Sequence, residues 1–425
     1  MTNAPERPPS VDALARSLHE TGLPHPLLVR VARQAIAAGE PASAPARAAA
    51  AARALLQPVV NGTGVLLHTN LGRAPAVATS AGTAYSNLEL DLGSGRRGSR
   101  QDSVGPLLAT ACGAESAMVV NNCAAAVVLV LATLAGGRGV TVSRGELVEI
   151  GGGFRIPEVL ASSGATLVEV GTTNRTRIDD HRRAIADPAH DVAVALKVHT
   201  SNYRITGFTE DVPLSEMAGL PVPVVADIGS GLLDAATPWL PGGPPSWLAG
   251  EPAARQSIEA GAALVTFSGD KLFGGPQAGV IAGRADLVAA CARHPLARAL
   301  RPGGLVLQAL QETTLAYLRR DGSAIPLWRM AALPVAELRD RADAVAAGAG
   351  GQWAAVGCSS VTGGGTLPGV EIPSAGVARP GDVTAALRAA SPPVVARVVD
   401  GSTVCDLRTV DPGHDTGLAA ALATV

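Results

Sequence analysis

The stretch that decides the fold is Leu264-Val-Thr-Phe-Ser-Gly-Asp-Lys-Leu-Phe-Gly-Gly-Pro-Gln-Ala-Gly279. It begins with a short apolar run that is typical of a buried β-strand, and it passes through Ser268, Asp270 and Lys271 into a glycine-rich turn. A second apolar run, over 280–282, follows this turn. The pattern predicts that Lys271 lies in a tight polar turn at the end of a buried strand.

Lys271 is one of only two lysines in a chain with 34 basic side chains, the other being Lys197. Arginine keeps its proton, whereas a lysine amine can lose it, attack a carbonyl carbon and form a Schiff base. An ordinary lysine is more often a salt-bridging or snorkelling side chain. The rarity of lysine in this chain and the small residues around Lys271 favour a lysine that carries pyridoxal phosphate (PLP).

The composition predicts a soluble protein with a large core. The chain has 425 residues, enough for two or three domains, with 47% hydrophobic and 16% charged residues. Its formal net charge of −2 excludes a global basic field, so any contact with RNA must be local. The five cysteines are scattered without a C-x-x-C pair, which favours a reducing cytoplasm over a disulfide framework or a metal site.

Neither targeting nor membrane insertion is indicated by the sequence. The segment from Met1 to Ser10 is polar and proline-rich, without the apolar centre of a signal peptide. The longest apolar run, from Ala124 to Ala135, is too short to span a bilayer and predicts a buried helix. We therefore expect a cytoplasmic protein without a membrane partner.

Residues 1–57 are predicted to form a small helical domain. Apolar residues at helical spacing indicate two helices, which a glycine- and proline-containing break at 22–26 separates. A third, alanine-rich segment over 44–56 carries Arg47 and Arg53. These arginines could contact RNA, although a solvated helix face is the commoner explanation for such a pattern.

Short apolar strands alternate with helical patterns from about residue 113 onward. We predict strands over 116–120, 140–142, 166–170, 192–199, 222–226 and 262–267. This alternation is typical of a mostly parallel sheet with helices on both faces, in which ligands bind at the carboxyl ends of the strands. We assign residues 58–301 to this catalytic core.

Residues 302–425 are predicted to form a smaller C-terminal α/β domain. The patterns indicate helices over 305–318 and 416–424 and strands over 370–372, 394–399 and 404–407. A glycine-rich loop at 363–369 could face the site.

Two further loops, at 61–73 and 85–100, combine Gly, Arg and polar side chains. Guanidinium groups and backbone N–H donors in such loops bind anions. Each loop taken alone could equally be a turn that connects core elements.

PLP chemistry requires an amine, a carboxylate at the pyridine nitrogen, a phosphate cup and an anion subsite. Lys271 is the candidate amine, and Asp227, directly after an apolar run, is the candidate carboxylate. A helix that starts after the strand at 116–120 offers free N–H groups and its dipole to a phosphate. The candidates for phosphate binding are Asn122, Cys123, Ala124 and the hydroxyl of Ser268.

Each of these residues has an ordinary structural explanation when taken alone. Asp227 could be a helix cap, and Asn121 and Asn122 could be turn residues. The order of phosphate helix, then Asp, then Lys across one parallel sheet is nevertheless typical of the aspartate-aminotransferase-like fold, fold type I of the PLP enzymes. We predict an α/β protein of this fold.

The chain resembles the bacterial selenocysteine synthases, the L-seryl-tRNA(Sec) selenium transferases. The resemblance extends from Pro9 to Val410 and rests on the segments 61–74, 85–89, 95–100, 142–155, 169–175, 227–231, 268–279 and 294–301. It implies the fold, the cofactor and the reaction together.

The reaction that this resemblance implies takes place on seryl-tRNA(Sec), with PLP bound to Lys271 and with Asp227 at its ring nitrogen. The serine amine displaces the lysine, Lys271 or a neighbour then removes the α-proton, and water leaves from Cβ, which gives an aminoacrylyl-tRNA. Selenium from selenophosphate then adds at Cβ to give selenocysteinyl-tRNA(Sec). The family's selenium-donor pocket corresponds here to Arg73, Arg298 and Arg301, and anion binding is a suitable task for arginine.

The resemblance further implies that residues 1–57 bind the tRNA and that the subunits form a homo-oligomer, a decamer built as a pentamer of dimers. Cys123 departs from the family pattern, in which Asn is expected, and the N-terminal segment is short and only weakly basic. Two other classes stay open: a PLP-dependent lyase or ammonia-lyase that acts on a small amino compound without tRNA, and a non-catalytic RNA-binding protein. The N-terminal helices argue against the first class, and the presence of both Lys271 and Asp227 argues against the second.

Overall fold

The computed structural model describes residues 9–77, 79, 84–150 and 153–425. Residues 1–8, which entered the prediction about targeting, and residues 151–152 of the 142–155 motif lie outside the described residues. The chain divides into two compact units, Met1–Val59 and Val60–Val425.

The first unit contains three α-helices in its described part: α1 Val11–Ser17, α2 His25–Ala37 and α3 Ala44–Arg53. Ser10 caps α1, since its hydroxyl accepts a hydrogen bond from the Ala13 N–H at 3.2 Å. Apolar side chains of the three helices, Leu28 among them, form a small core. The three predicted helices are confirmed, but α3 is shorter than predicted because Leu55 and Leu56 are exposed and gain no packing.

The strands of the second unit, as far as the structure describes it, are β1 Val60–Asn61, β2 Ser116–Val120, β3 Gly139–Ser143, β4 Glu149–Ile150, β5 Phe154–Arg155, β6 Thr166–Val170, β7 Val192–Val198, β8 Val224–Gly229, β9 Leu264–Ser268, β10 Gly279–Gly283, β11 Ala354–Val361, β12 Glu371–Pro380, β13 Val394–Val395, β14 Arg397–Val399 and β15 Ser402–Asp406.

Its α-helices are α4 Gln101–Cys112, α5 Cys123–Ala135, α6 Ile156–Ser163, α7 Ile178–Ala186, α8 Leu214–Met217, α9 Ala254–Glu259, α10 Ala285–Arg293, α11 Pro295–Ala299, α12 Gly304–Leu318, α13 Pro326–Ala331, α14 Val335–Ala349, α15 Thr384–Ala389 and α16 Asp415–Leu422. None of the helices in the described ranges is both long and apolar enough to cross a membrane.

A seven-stranded sheet with the order β2-β10-β9-β8-β7-β3-β6 forms the centre of the second unit. Strand β10 runs antiparallel to both of its neighbours, and the other strand pairs are parallel. Alternate residues of the strands pack on opposite faces of the sheet. Val265 and Val280 belong to a core with α4 and α12, whereas Leu264 and Ile281 belong to a core with α5 and α6. The predicted mostly parallel sheet with helices on both faces is therefore confirmed.

The C-terminal part of the second unit contains a smaller antiparallel sheet with the order β11-β12-β15-β14. A core from α14, α16 and this sheet includes Leu338, Val377 and Leu418. The two predicted helices and the regions of the predicted strands are confirmed.

The glycine-rich loop predicted at 363–369 lies against the polar loop at 61–73. The Leu66 N–H donates to the Val361 carbonyl at 3.0 Å, and the Leu67 N–H donates to the Thr362 carbonyl at 2.8 Å. The backbone at Gly364 is left-handed, and a Cβ there would lie 2.7 Å from the Leu67 oxygen. Glycine is therefore required where the two loops meet.

Candidate active site

Lys271 lies in the turn between β9 and β10, where the residue is only 6% exposed. The turn is closed by hydrogen bonds of 2.8 Å from the Gly274 N–H to the Lys271 carbonyl and from the Gly275 N–H to the Gly269 carbonyl. The Lys271 ammonium makes no hydrogen bond or ion pair with a residue that the structure describes. A buried amine without a partner suits a reactive lysine better than a structural one.

Aromatic side chains support the backbone that follows Lys271. The Tyr317 hydroxyl donates to the Phe273 carbonyl at 2.8 Å and accepts a hydrogen bond from Trp328 Nε1 at 2.6 Å. The Tyr317 ring packs against Phe273 and edge-on against Trp239. These contacts fix the position of the turn relative to α12 and α13.

Asp227 lies on β8, next to β9, and is 6% exposed. Its Oδ1 accepts a hydrogen bond of 3.1 Å from the Thr266 hydroxyl. Burial raises the pKa of the Asp227 carboxyl, while the Thr266 hydrogen bond and the positive charge of Lys271 lower it. A Cβ at Gly229 would lie 3.9 Å from Lys271 Nζ, so the turn that carries the lysine reaches the end of β8.

Cys123 connects the start of α5 to Asp227. Its Sγ donates to Asp227 Oδ1 at 3.5 Å. Desolvation, followed by the neighbouring charge of Asp227, raises the pKa of the Cys123 thiol well above its usual range, so the thiol stays protonated and remains a donor. Ser268 is the buried last residue of β9, and a hydrogen bond between its side chain and this thiol lowers the pKa of Cys123.

The start of α5 offers the N–H groups that a phosphate requires. Asn122 caps the helix, and its Oδ1 accepts from the Ala125 N–H at 2.8 Å. The N–H groups of Cys123 and Ala124 have no hydrogen-bond partner among the described residues. Gly279 permits this arrangement, because a Cβ there would lie 2.0 Å from the Asn122 carbonyl oxygen.

Two more buried polar atoms, Ser201 Oγ and Ser230 Oγ, lie just beyond β7 and β8 without a hydrogen-bond partner among the described residues, and His199 Nε2 in the same region is 3.5 Å from Glu251 Oε1. Buried polar atoms in proteins are nearly always hydrogen-bonded, so this cluster indicates that a polar ligand belongs here. PLP carries a phosphate, a phenolic oxygen and a ring nitrogen. The amine, the carboxylate, the free N–H groups and the unpartnered side chains therefore fit PLP.

Arg73 lies beside the lysine turn. Its Nη1 forms an ion pair of 2.8 Å with Oδ2 of Asp270, and the Ala74 N–H donates to the Asp270 carbonyl at 3.1 Å. The Arg73 backbone is left-handed, with φ of 65°. Asp270 directly precedes Lys271, so the structure places Arg73 close to the candidate catalytic lysine.

Arg298 and Arg301 lie together in a different environment. They line a cavity of about 220 Å³ together with three residues of the loop at 85–100, which are Glu89, Arg97 and Arg100. Arg301 Nη1 is 3.4 Å from Glu89 Oε1. The structure thus brings two of the three predicted anion-binding arginines into one cavity, and it places the third, Arg73, in an ion pair with Asp270.

Sequence reasoning missed several residues of this site. Thr266 and Asp270 adjoin residues that were singled out, and their positions in the Leu264–Gly279 stretch were an available signal. Glu89 is an isolated acidic residue close to an arginine-rich segment, which was a weaker signal. Ser230 follows Asp227 in a short polar segment and could have been found from that position.

The sheet order and the residues around Lys271 define a protein of the aspartate-aminotransferase-like class, fold type I. The chain is similar to the solved structure of D-glucosaminate-6-phosphate ammonia-lyase, with a TM-score of 0.59 and 21% identity, over 87% of this chain and 95% of that one. At this level of identity the similarity concerns the fold alone.

The sequence relatives identify the family. The L-seryl-tRNA selenium transferase family model matches residues 59–411. The L-seryl-tRNA(Sec) selenium transferase of Moorella thermoacetica is 48% identical over 396 residues, which cover 88% of this chain and 82% of that protein. The enzyme of the same name from Solidesulfovibrio magneticus is 46% identical, with 85% and 80% covered. The chain belongs to the L-seryl-tRNA selenium transferase family.

Proposed function

We propose that this protein is a PLP-dependent L-seryl-tRNA(Sec) selenium transferase, which converts seryl-tRNA(Sec) to selenocysteinyl-tRNA(Sec) with selenophosphate as the selenium donor. The observation that carries the proposal is the buried Lys271 beside Asp227 in a member of this family, with no hydrogen bond or ion pair from its ammonium to a described residue. The names of the relatives supply the substrate, and the site supplies the chemistry.

The site residues divide the work between holding the cofactor and moving protons. When bound, PLP supplies an electron-accepting ring that stabilises negative charge at the substrate Cα. Lys271 would hold the cofactor, and its amine, set free when the seryl amine takes its place, would accept the α-proton of the seryl group. Asp227 keeps the ring nitrogen protonated, and the hydrogen bond from Thr266 orients its carboxylate.

The phosphate and the donor anion require separate subsites. The N–H groups of Cys123 and Ala124 at the start of α5 bind the cofactor phosphate, with Asn122 capping the helix and Ser268 beside the thiol. We assign the selenium donor to the arginines, with Arg298 and Arg301 in one cavity and Arg73 next to the lysine turn.

We further propose that residues 1–57 form the tRNA-binding domain, 58–301 the catalytic core and 302–425 the C-terminal domain. Arg30 and Arg33 lie three residues apart on α2, and both are exposed without an ion pair among the described residues. Arg47 is instead paired with Glu40 at 3.2 Å. Such free guanidinium groups are suited to RNA phosphates.

The proposed assembly is a cytoplasmic homo-oligomer, a decamer built as a pentamer of dimers. Size-exclusion chromatography with light scattering measures the mass of the particle directly. A mass ten times that of the chain, 42.6 kDa, is expected.

The test of the proposed function begins with the cofactor. Borohydride reduction of the PLP-loaded protein followed by peptide mapping is expected to fix the label on Lys271. Lys197 serves as the internal control, because its ammonium is paired with Glu146 at 2.7 Å. A label on Lys197 alone, or none, would overturn the assignment.

The second part of the test concerns the substrate. We expect conversion of seryl-tRNA(Sec) with selenophosphate and no turnover of free serine. Turnover of free serine or another small amino compound without RNA would assign the protein to the alternative class, the PLP-dependent lyases.

A further inference from the structure

Glu89 lies at the centre of a cluster of arginines, and the proposed mechanism gives its carboxylate no role. Its Oε2 is 2.6 Å from Arg97 Nη2, and its Oε1 is 2.5 Å from Arg100 Nε and 3.4 Å from Arg301 Nη1. The carboxylate thus contacts three guanidinium groups that come from two separate segments of the chain. The side chains of Glu89 and Arg100 are each 24% exposed, so water reaches the cluster.

The carboxylate does not neutralise the cavity that it shares with these arginines. Arg298 also lines the cavity and makes no hydrogen bond or ion pair with any residue in the described ranges. Four guanidinium groups and one carboxylate leave a net charge of three positive units. Hydrogen bonds from Arg100 and Arg97 lower the pKa of Glu89 to about 2, so this balance holds throughout the neutral range.

The geometry of the cavity suits a small tetrahedral oxyanion. Its volume is about 220 Å³, and the side chain of Arg97 at its edge is 76% exposed, so a ligand can enter from solvent. Planar guanidinium groups offer paired N–H donors that match phosphate oxygens. Glu89 already accepts hydrogen bonds from Arg97 and Arg100, whose N–H groups such an anion would use.

We propose that Glu89 is a built-in counter-ion that sets the affinity and the charge selectivity of an oxyanion pocket formed by Arg97, Arg100, Arg298 and Arg301. The ligand is a free phosphate-type anion, and the assignment of this anion to the selenium donor rests on the proposed function. A dianion must share the guanidinium donors with Glu89 and experiences its repulsion. The carboxylate therefore weakens binding and keeps the pocket exchangeable.

The competing explanation is structural. Glu89 begins a short hairpin in which the Gly98 N–H donates to the Glu89 carbonyl at 3.0 Å, and the Asp91 N–H donates to the Arg96 carbonyl at 2.9 Å. If the Glu89 side chain only kept this hairpin and its arginines in place, its loss would disorder the pocket and weaken anion binding. The two explanations therefore predict opposite changes in phosphate affinity when the Glu89 carboxylate is removed.

The experiment is a calorimetric titration of the full-length PLP-loaded protein with inorganic phosphate, without tRNA, at low and at moderate salt. Glu89→Gln is expected to bind phosphate on the order of tenfold more tightly at low salt, the Coulomb effect of one unit charge on a dianion across a few ångströms of water. Arg298→Gln is expected to bind it more weakly, and since Arg298 forms no hydrogen bond or ion pair in the described part of the chain, its loss breaks no interaction of that kind.

A double variant separates charge from structure. Glu89→Gln combined with Arg97→Gln restores the net charge of the cavity and is expected to return the affinity towards that of the wild type. Asp191→Asn is the matched control, since it removes one carboxylate from an exposed pair with Arg138 at 2.8 Å, outside this cavity. It is expected to leave phosphate binding unchanged.

Two results would overturn the proposal. Unchanged or weaker phosphate binding by a folded Glu89→Gln variant would assign Glu89 a structural role. Displacement of phosphate from the wild type by equimolar unacylated tRNA would assign the pocket to RNA backbone phosphate instead of a free anion.

The titration is independent of the proposed function, because it contains neither seryl-tRNA nor a selenium donor. If the predicted affinities are found but the wild type does not convert seryl-tRNA(Sec), the proposed function fails and the counter-ion role stands. If conversion is found and the variants bind phosphate like the wild type, only the counter-ion role fails.

Discussion

Replacing Gly279 by alanine tests how the start of α5 is positioned. Gly279 is the first residue of β10 and pairs with Val120 on one side and Ser268 on the other. A Cβ at this position would lie 2.0 Å from the Asn122 carbonyl oxygen and 2.9 Å from the Cys123 nitrogen. Both atoms are backbone, so a side-chain rotation cannot relieve the contact.

The expected loss of stability follows from the short distance between this Cβ and the Asn122 oxygen. A carbon and a carbonyl oxygen need at least about 3 Å, so the turn before α5 must move by roughly 1 Å, and overpacking of this kind costs typically 1–3 kcal/mol and occasionally more. We expect Gly279→Ala to lower the free energy of unfolding by about 3 kcal/mol. The same displacement moves the N–H groups of Cys123 and Ala124, so PLP affinity is expected to fall on the order of tenfold or more.

Gly357→Ala is the matched control. Gly357 also lies in a strand, β11, and a Cβ there would meet no heavy atom within 4 Å. This change is expected to be neutral or to stabilise the protein slightly, by less than about 1 kcal/mol. Chemical unfolding gives the stabilities, and titration of the apoprotein followed by absorbance gives the PLP affinities. Equal stability and equal PLP affinity of the two variants would refute the close approach of β10 to Asn122.

Three other changes are predicted with their measurements. Asp227→Asn is expected to retain the fold, as judged by circular dichroism, and to lower kcat on the order of 100-fold or more, because an amide cannot keep the ring nitrogen protonated. Tyr317→Phe leaves the buried Phe273 carbonyl and Trp328 Nε1 without their partner, and denaturant unfolding is expected to show a loss of about 1–3 kcal/mol. Burial lowers the pKa of His181 to about 4 from 6.5, so the unfolded chain binds the extra proton between these values and stability falls as the pH is lowered through this window. The total loss is about 3 kcal/mol, and His181→Asn should flatten this pH slope of the unfolding free energy in the same titration.

The relation between Asp227 and Lys271 could be predicted from the sequence because both follow buried apolar runs. Parallel strands end at the same edge of a sheet, and β8 and β9 are neighbours. Asp227 and Lys271, which follow the two apolar runs, therefore lie near each other at this edge of the sheet. The position of the candidate phosphate site at the start of α5 followed from the same argument, since an apolar helix begins three residues after β2 ends.

The secondary structure that was missed had a weak local signal. Strand β11 consists mainly of small residues, includes Gly357 and is half-exposed along most of its length. It has no apolar run and only two β-branched residues, Val356 and Val361, so packing against β12 rather than local propensity determines this strand. Helix α4 contains Pro106, which is a signal against a helix, and tertiary packing overrides it.

The contacts that orient the arginines could not be predicted, because they join residues far apart in the chain. Arg73 and Asp270 are separated by 197 positions, and Arg301 and Glu89 by 212. A motif indicates that an arginine is available to an anion, but it does not indicate which carboxylate already occupies the guanidinium group. That information requires the tertiary structure.

These contacts determine how an anion can bind to the arginines of this protein. Arg73 and Arg301 both have a carboxylate partner within the chain, whereas Arg298 has none among the described residues. An anion that binds Arg73 or Arg301 must therefore compete with Asp270 or Glu89, and its affinity there is a difference between two ion pairs, whereas Arg298 needs no such exchange with a described residue. Asp270 directly precedes Lys271, so release of Arg73 by Asp270 would change the charge beside the lysine turn.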